Sequence, residues 1–322
     1  MNRSHALFNY RIILIMSVHV SLQSDESSWT YSGENGPDNW GPTCTTGKHQ
    51  SPIDIVSEDA IKDDLGSLKF IRYDFAYEGK LLNNGHSVQI TLSGVPLFLN
   101  GGGLTSTYQF EQMHFHWGAE HTVDGYQDAL ELHLVHFEKK YGNASTAAQY
   151  KNGIVVIAVL FKLSDGDNKD LDPIVQATEM VAHWIGPSTA EIQHKIIPQL
   201  LLPKDTTSFY RYEGSLTTPG CQETVTWFIF TEKLTVSLNQ LSVFQELETA
   251  QGPLKFNFRP VQPINDRKVY HHLLGYTSNS IIYTITNKFS KLFSLRPLCR
   301  LYHRLFSSFN IHEFKEKQYQ NA

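Results

Sequence analysis

A chain of 322 residues with 41% apolar content is long enough to bury a substantial core, and its 27 Lys and Arg are outnumbered by 32 Asp and Glu. The resulting net charge of −5 argues against a nucleic-acid-binding role. Without an internal repeat or a Gly/Ser-rich linker, the sequence reads as one main domain.

At the N-terminus, Arg3 and Arg11 precede the apolar run Ile12 to Val18, followed by small and polar residues around Ser21 to Ser24. This pattern predicts a signal peptide over 1–24 and a secreted, extracellular protein, since the apolar run is too short for a membrane span. Next come strand-like runs at Ser87 to Leu92, Gly153 to Leu163 and Thr224 to Phe230, with a helical period over Asp172 to His183 carried by Ile174, Val175, Thr178, Val181 and Ala182. The expected fold class is α+β and β-dominated: a large, central, mostly antiparallel twisted sheet with short peripheral helices.

Chemistry concentrates in Gln112-Met113-His114-Phe115-His116-Trp117 and Glu131-Leu132-His133-Leu134-Val135. Successive strand side chains point to opposite faces. Gln112, His114 and His116 therefore share one face, and Met113, Phe115 and Trp117 the other. Glu131, His133 and Val135 share a face in the second run, with Leu132 and Leu134 turned toward a core. The turn signal Asp124-Gly125 between the runs suits an antiparallel pairing that brings the histidine faces together. Three neutral imidazoles without a fourth protein ligand describe an open Zn2+ site that keeps one position for water and makes that water acidic. Gln112 and Glu131, each two residues before a ligand on the same face, can accept the ligands' outer ring N–H.

The chain resembles the alpha-class carbonic anhydrases of the secreted type from about Trp29 to about Tyr270. The resemblance is carried by Asn35-Gly36-Pro37-Asp38-Asn39-Trp40, Gln50-Ser51-Pro52-Ile53-Asp54-Ile55, Asn83-Asn84-Gly85-His86, Met113 to Gly118, Glu120-His121-Thr122-Val123-Asp124, Glu131 to His136, Ser215-Leu216-Thr217-Thr218-Pro219 and Asn257-Phe258-Arg259-Pro260. It implies a catalytic domain over 25–270 and reversible zinc-dependent hydration of CO2 to bicarbonate and a proton by zinc-bound hydroxide. His114, His116 and His133 match the zinc ligands, and Gln112 and Glu131 the groups behind them. Thr217 and Glu120 match the pair that orients the hydroxide. Val135, Val156, Leu216, Thr218, Val225 and Trp227 match the substrate pocket. His86 matches the proton shuttle, with Asn84 and Tyr31 at water-network positions. Cys44 and Cys221 match the disulfide of secreted members, and the Asn143-Ala144-Ser145 sequon fits the same route. The rival readings are a non-catalytic binding module of the same family, against which all three histidines stand, and a zinc esterase, expected only as a side activity.

Two departures stand out. Gly220 replaces a second proline that the family usually holds in a cis bond, and a non-proline cis bond costs ~2.5–4 kcal/mol, so a trans, rearranged loop is expected. Glu213 replaces another common proline. Residues 271–322 form a basic extension, with seven Lys or Arg against two Asp or Glu. There Pro297 can open an amphipathic helix bearing Leu298, Leu301, Tyr302, Leu305, Phe306 and Phe309, a segment suited to a membrane surface or a partner, or else a disordered end. Cys299 is left over.

Overall fold

In a computed structural model of the chain, residues 29–184, 187–249 and 252–276 are described. The leader expected over 1–24, and the extension from residue 277 with its helix and Cys299, lie outside them.

Thirteen strands of the described residues form one sheet. Its main path runs Ser188–Glu191, Glu78–Asn83, Val88–Ser93, Tyr108–Trp117, Leu130–Glu138, Ile154–Ser164, Val225–Phe230, Ser208–Gly214, Tyr270–Leu273 and Ile61–Asp63. Most neighbours are antiparallel, as expected. Ile154–Ser164, however, runs parallel to both Val225–Phe230 and Leu234–Ser237, and Tyr270–Leu273 runs parallel to Ile61–Asp63. A parallel neighbour needs a long crossover, and the stretch after Ser164 provides one containing the helix Asp172–Ala182. The strand Tyr270–Leu273 carries the sheet across residue 270.

Period-two patterning sorts the interior into two layers. Along Ile154–Ser164, Val155, Ile157, Val159 and Phe161 enter one apolar cluster with Met113, Phe115, Trp117, Leu132 and Leu134. The alternate residues Ile154, Val156, Ala158 and Leu160 enter a second cluster with Val135, Val225, Trp227 and Tyr212. The first cluster is the large core behind the sheet, completed by Ile174, Val175, Ala177 and Val181 of the helix. The second shares its face with the histidines.

Asp124-Gly125 does make a tight turn, with φ of 52° and 75°. It closes a satellite hairpin between Thr122–Val123 and Tyr126–Gln127, seated on Asp54–Ile55, and does not itself join the two histidine strands. Long strands such as Tyr108–Trp117 and Leu130–Glu138 find their register through side-chain packing on both faces, so the connection between them is free to carry an excursion.

Cys44 and Cys221 form a disulfide across 177 residues, buried with Tyr31 and Trp40. The Pro219–Gly220 peptide is trans, and Gly220 takes φ +99°, a path that proline, fixed near −65°, cannot follow. Closing so long a loop restricts the unfolded chain, so Cys44→Ser is expected to lower stability by about 2–4 kcal/mol in urea unfolding. An unchanged urea midpoint would remove the bridge from the stability of the domain.

Candidate metal centre

Antiparallel pairing of Tyr108–Trp117 with Leu130–Glu138 sets His133 opposite His114 and Glu131 opposite His116. The three imidazoles therefore face one another, with ring centroids 4.6–5.1 Å apart. Each ring has one nitrogen turned outward to an acceptor. His114 Nδ1–H donates to Gln112 Oε1 at 3.0 Å, His116 Nδ1–H to the Asn257 carbonyl at 2.6 Å, and His133 Nε2–H to Glu131 Oε1 at 2.6 Å. With the protons held outside, His114 Nε2, His116 Nε2 and His133 Nδ1 carry lone pairs into a common space.

That space fits a cation. His133 Nδ1 and His114 Nε2 lie 3.3 Å apart, about the separation of two ligands on tetrahedral zinc with bonds of about 2.0–2.1 Å. His116 Nε2 is buried with no hydrogen-bond partner. Burial, then the neighbouring imidazoles, holds His114 well below the usual histidine range, and burial lowers His116 as well, so both stay neutral as ligands must be. Glu131 is also fully buried. Burial by itself would raise its carboxyl, but His121 and His133 and their hydrogen bonds outweigh it and hold the group well below the carboxylate range.

A cavity of about 340 Å³ opens over the imidazoles. Its wall includes Val135, Val156, Leu216, Thr217, Thr218 and Trp227, with His86, Tyr31 and Asn84 toward Trp29. Val225, expected on this wall, is fully buried in the same apolar cluster as the wall residues Val135, Val156 and Trp227 and does not border the cavity. His86 stacks on Trp29 with ring centroids 3.6 Å apart and planes within 11°. Glu120 lies outside the lining, buried, with Oε1 accepting the Arg259 backbone N–H at 2.9 Å. Its Oε2 has no donor and sits 3.6 Å from His116 Nε2. Asn143 is exposed and caps the short helix Ala144–Ala147 through Oδ1, which accepts the Thr146 N–H at 2.8 Å.

Several supporting residues carry no role in the sequence reading. Asn257 accepts from His116 through its carbonyl and from the Trp117 N–H through Oδ1, while its amide donates to the carbonyls of His86 and Phe115. Its segment presses so close that a Cβ on Gly118 would meet the Phe258 ring at 2.5 Å. His121 donates its backbone N–H to Glu131 Oε2 and its Nδ1–H to Glu131 Oε1, and its Nε2 meets the Tyr212 hydroxyl at 2.7 Å. Tyr212 in turn donates to Ser51, whose Oγ accepts the Ser215 N–H just before Leu216 and Thr217. A ligand histidine and the Thr217 loop are thus ends of one buried hydrogen-bonded chain. Arg259, 1% exposed, donates to Gln50 and to the carbonyls of Ser51 and Cys44, bracing the bridged segment.

Residues 35–273 match the family model of the eukaryotic-type carbonic anhydrases. The chain is 37% identical to a putative carbonic anhydrase 3 of Caenorhabditis elegans, over 76% of this chain and 97% of that protein. Carbonic anhydrase 4 of Rattus norvegicus is 31% identical over 80% of this chain and 89% of its own length. Carbonic anhydrase 6 of Mus musculus is 34% identical, over 77% of this chain and 82% of that protein. With a matching sheet, a converging trio of imidazoles and relatives along nearly their full lengths, the chain belongs to the eukaryotic-type carbonic anhydrase family.

Proposed function

We propose that the chain is an exported zinc enzyme that reversibly hydrates CO2 to bicarbonate and a proton. The observation that carries this reading is the set of three inward lone pairs of His114, His116 and His133 beside an apolar wall. Zinc held there supplies a nucleophile from water near neutral pH, a chemistry of which carbonic anhydrases are the standard example.

The chain's own residues do the rest. Gln112, Glu131 and the Asn257 carbonyl fix the tautomer and tilt of each ligand ring. Val135, Val156, Leu216 and Trp227 offer CO2 an apolar resting place that makes no strong polar contact, so that bicarbonate is not held too firmly. Glu120 Oε2, which has no donor in the structure, is the acceptor to which the Thr217 hydroxyl would give its proton, leaving that hydroxyl only to accept from the nucleophile and so orient it. Thr218 borders the same space. His86, on the cavity wall toward Trp29, receives the released proton and passes it to buffer, a task that an imidazole performs as general acid and base. Export is supported by the disulfide, which oxidising compartments maintain, and by the leader pattern at 1–24; Asn143 is then exposed to glycosylation.

The test is stopped-flow CO2 hydration by the zinc-loaded protein beside His86→Ala. The parent is expected to turn over rapidly, and the variant to lose about tenfold or more in weak buffer while recovering with added imidazole. Full zinc without hydration in the parent overturns the enzyme reading, and an unaffected variant removes His86 from proton export.

A further inference from the structure

His86 stands on a short connection, Asn84 to Ser87, between the strands Glu78–Asn83 and Val88–Ser93. The connection closes on itself. The Asn84 N–H donates to the Ser87 carbonyl at 3.2 Å, and Asn84 Oδ1 accepts the N–H groups of His86 and Ser87 at 2.9 and 2.8 Å. Bonds of this kind set the shape of a loop but not its place against the rest of the fold. The ladder that could place it stops short: Val88–Ser93 pairs with the ligand strand Tyr108–Trp117 only at Ile90 opposite Met113 and Gln89 opposite His114.

Beyond that point side chains take over from the ladder. The next carbonyl along the ligand strand, that of Phe115, receives two donors, Ser87 Oγ at 2.6 Å and Asn257 Nδ2 at 2.9 Å. Asn257 Nδ2 also donates to the His86 carbonyl, at 3.1 Å. The orientation of the amide is fixed by the Trp117 N–H, which can only donate and meets Oδ1 at 2.7 Å. Asn257 is fully buried and Ser87 is 5% exposed, so water does not compete for these groups. A single side chain thus grips the backbone on both sides of the ligand His116 and the backbone of His86.

We propose that the Asn257 side chain is a positioning residue for proton export, tying the His86 loop to the ligand strand so that the base keeps a set distance from the metal centre. This rests on the reading of His86 as the proton exporter. The Asn257 carbonyl orients His116 whatever side chain the residue bears; the amide has the separate task of joining two backbones that the sheet leaves unjoined. Group transfer is sensitive to such placement, a misplacement of about 1 Å being able to cost on the order of 10²-fold.

Asn257→Asp keeps an acceptor for the Trp117 N–H and the backbone carbonyl for His116, and trades both amide donors for a carboxylate. Proton export follows the attack on CO2, so it enters kcat and not kcat/KM. The zinc-loaded variant is expected to keep its zinc and its kcat/KM within about twofold, while kcat in weak buffer falls about fivefold or more and returns with added imidazole. In a His86→Ala background the same substitution should leave kcat unchanged, because no base remains to be placed. Apart from turnover, amide hydrogen exchange should quicken at His86 and Ser87 and not at Trp117. Ser87→Ala, which removes only a hydroxyl, should act in the same direction to a smaller degree and keeps the test intact if Asn257→Asp fails to fold. Parental kcat in weak buffer, equal losses with and without His86, or a fall in kcat/KM as large as that in kcat makes Asn257 a support of the ligand strand alone and overturns the proposal. If His86→Ala is itself as fast as the parent, the exporter reading fails and the positioning role with it. A slow His86→Ala beside a parental Asn257→Asp overturns the positioning role only.

Discussion

His114→Asn is expected to leave a folded protein that no longer holds zinc stoichiometrically and has lost CO2 hydration. His114 contributes one of three inward nitrogens, and its Nε2 lies 3.3 Å from His133 Nδ1, a separation that a shared cation would span. Removing a partner behind a ligand typically costs 10–100-fold in metal affinity or activity, roughly, and removing the ligand itself should cost more. The fold should survive, because His114 sits partly exposed on the cavity side while its neighbours Met113 and Phe115 keep their places in the large core. Zinc per chain by atomic absorption, hydration by stopped flow and the near-ultraviolet circular dichroism spectrum check the three parts separately. A variant with parental zinc and parental turnover would displace His114 from the metal centre.

Acid should destabilise the domain through His136, by up to about 3 kcal/mol. This side chain is fully buried, shares a hydrogen bond with the Tyr73 hydroxyl and turns Nδ1 toward the Val155 carbonyl at 3.3 Å. Burial, partly offset by backbone hydrogen bonds, lowers it from 6.5 to about 4. The unfolded chain therefore binds this proton first. Above pH 6.5 neither state is charged and nothing is lost; between 6.5 and about 4 the unfolded state gains the proton and stability falls; below about 4 the loss levels off. Urea unfolding of the parent and His136→Gln across that range isolates the effect. The variant has its own fixed cost, but its stability should fall less steeply with acid. Parallel curves would mean that His136 does not contribute to the pH dependence.

Much of the site's frame was legible because strands write their faces into the chain with a period of two. Alternation at 112–117 and 131–135 was enough to put the histidines on one side and the aromatic and aliphatic residues on the other. The same rule, applied to 153–163, accounts for a strand that serves two cores at once. What alternation could not reach were residues outside regular strands. Asn257 and Arg259 act from a segment without periodic pattern, and His121 lies on an irregular stretch where a polar residue ordinarily faces water. Their roles depend on partners far along the chain, such as Asn257 with His116 across 141 positions. Val225 is a related case, buried against the wall residues without bordering the cavity. A pocket wall and the core behind it are both apolar and both alternate, so sequence pattern cannot tell the layer that meets the cavity from the one beneath it. Asp124-Gly125 was a real turn in a different hairpin, because a turn signal marks where the chain reverses and not which strands it brings together.

The reach of Asn257 has a consequence for how the protein is made. By the time residue 138 has left the ribosome, all three imidazoles and both strands that carry them have been synthesised. The carbonyl that fixes His116, the amide that steadies the backbone of His86 and the N–H that holds Glu120 arrive more than a hundred residues later. A nascent chain can thus display the histidine trio well before it can orient it. Mature zinc affinity should accordingly appear late in translation, and a chain ending before Asn257 should hold the metal loosely even with every ligand present.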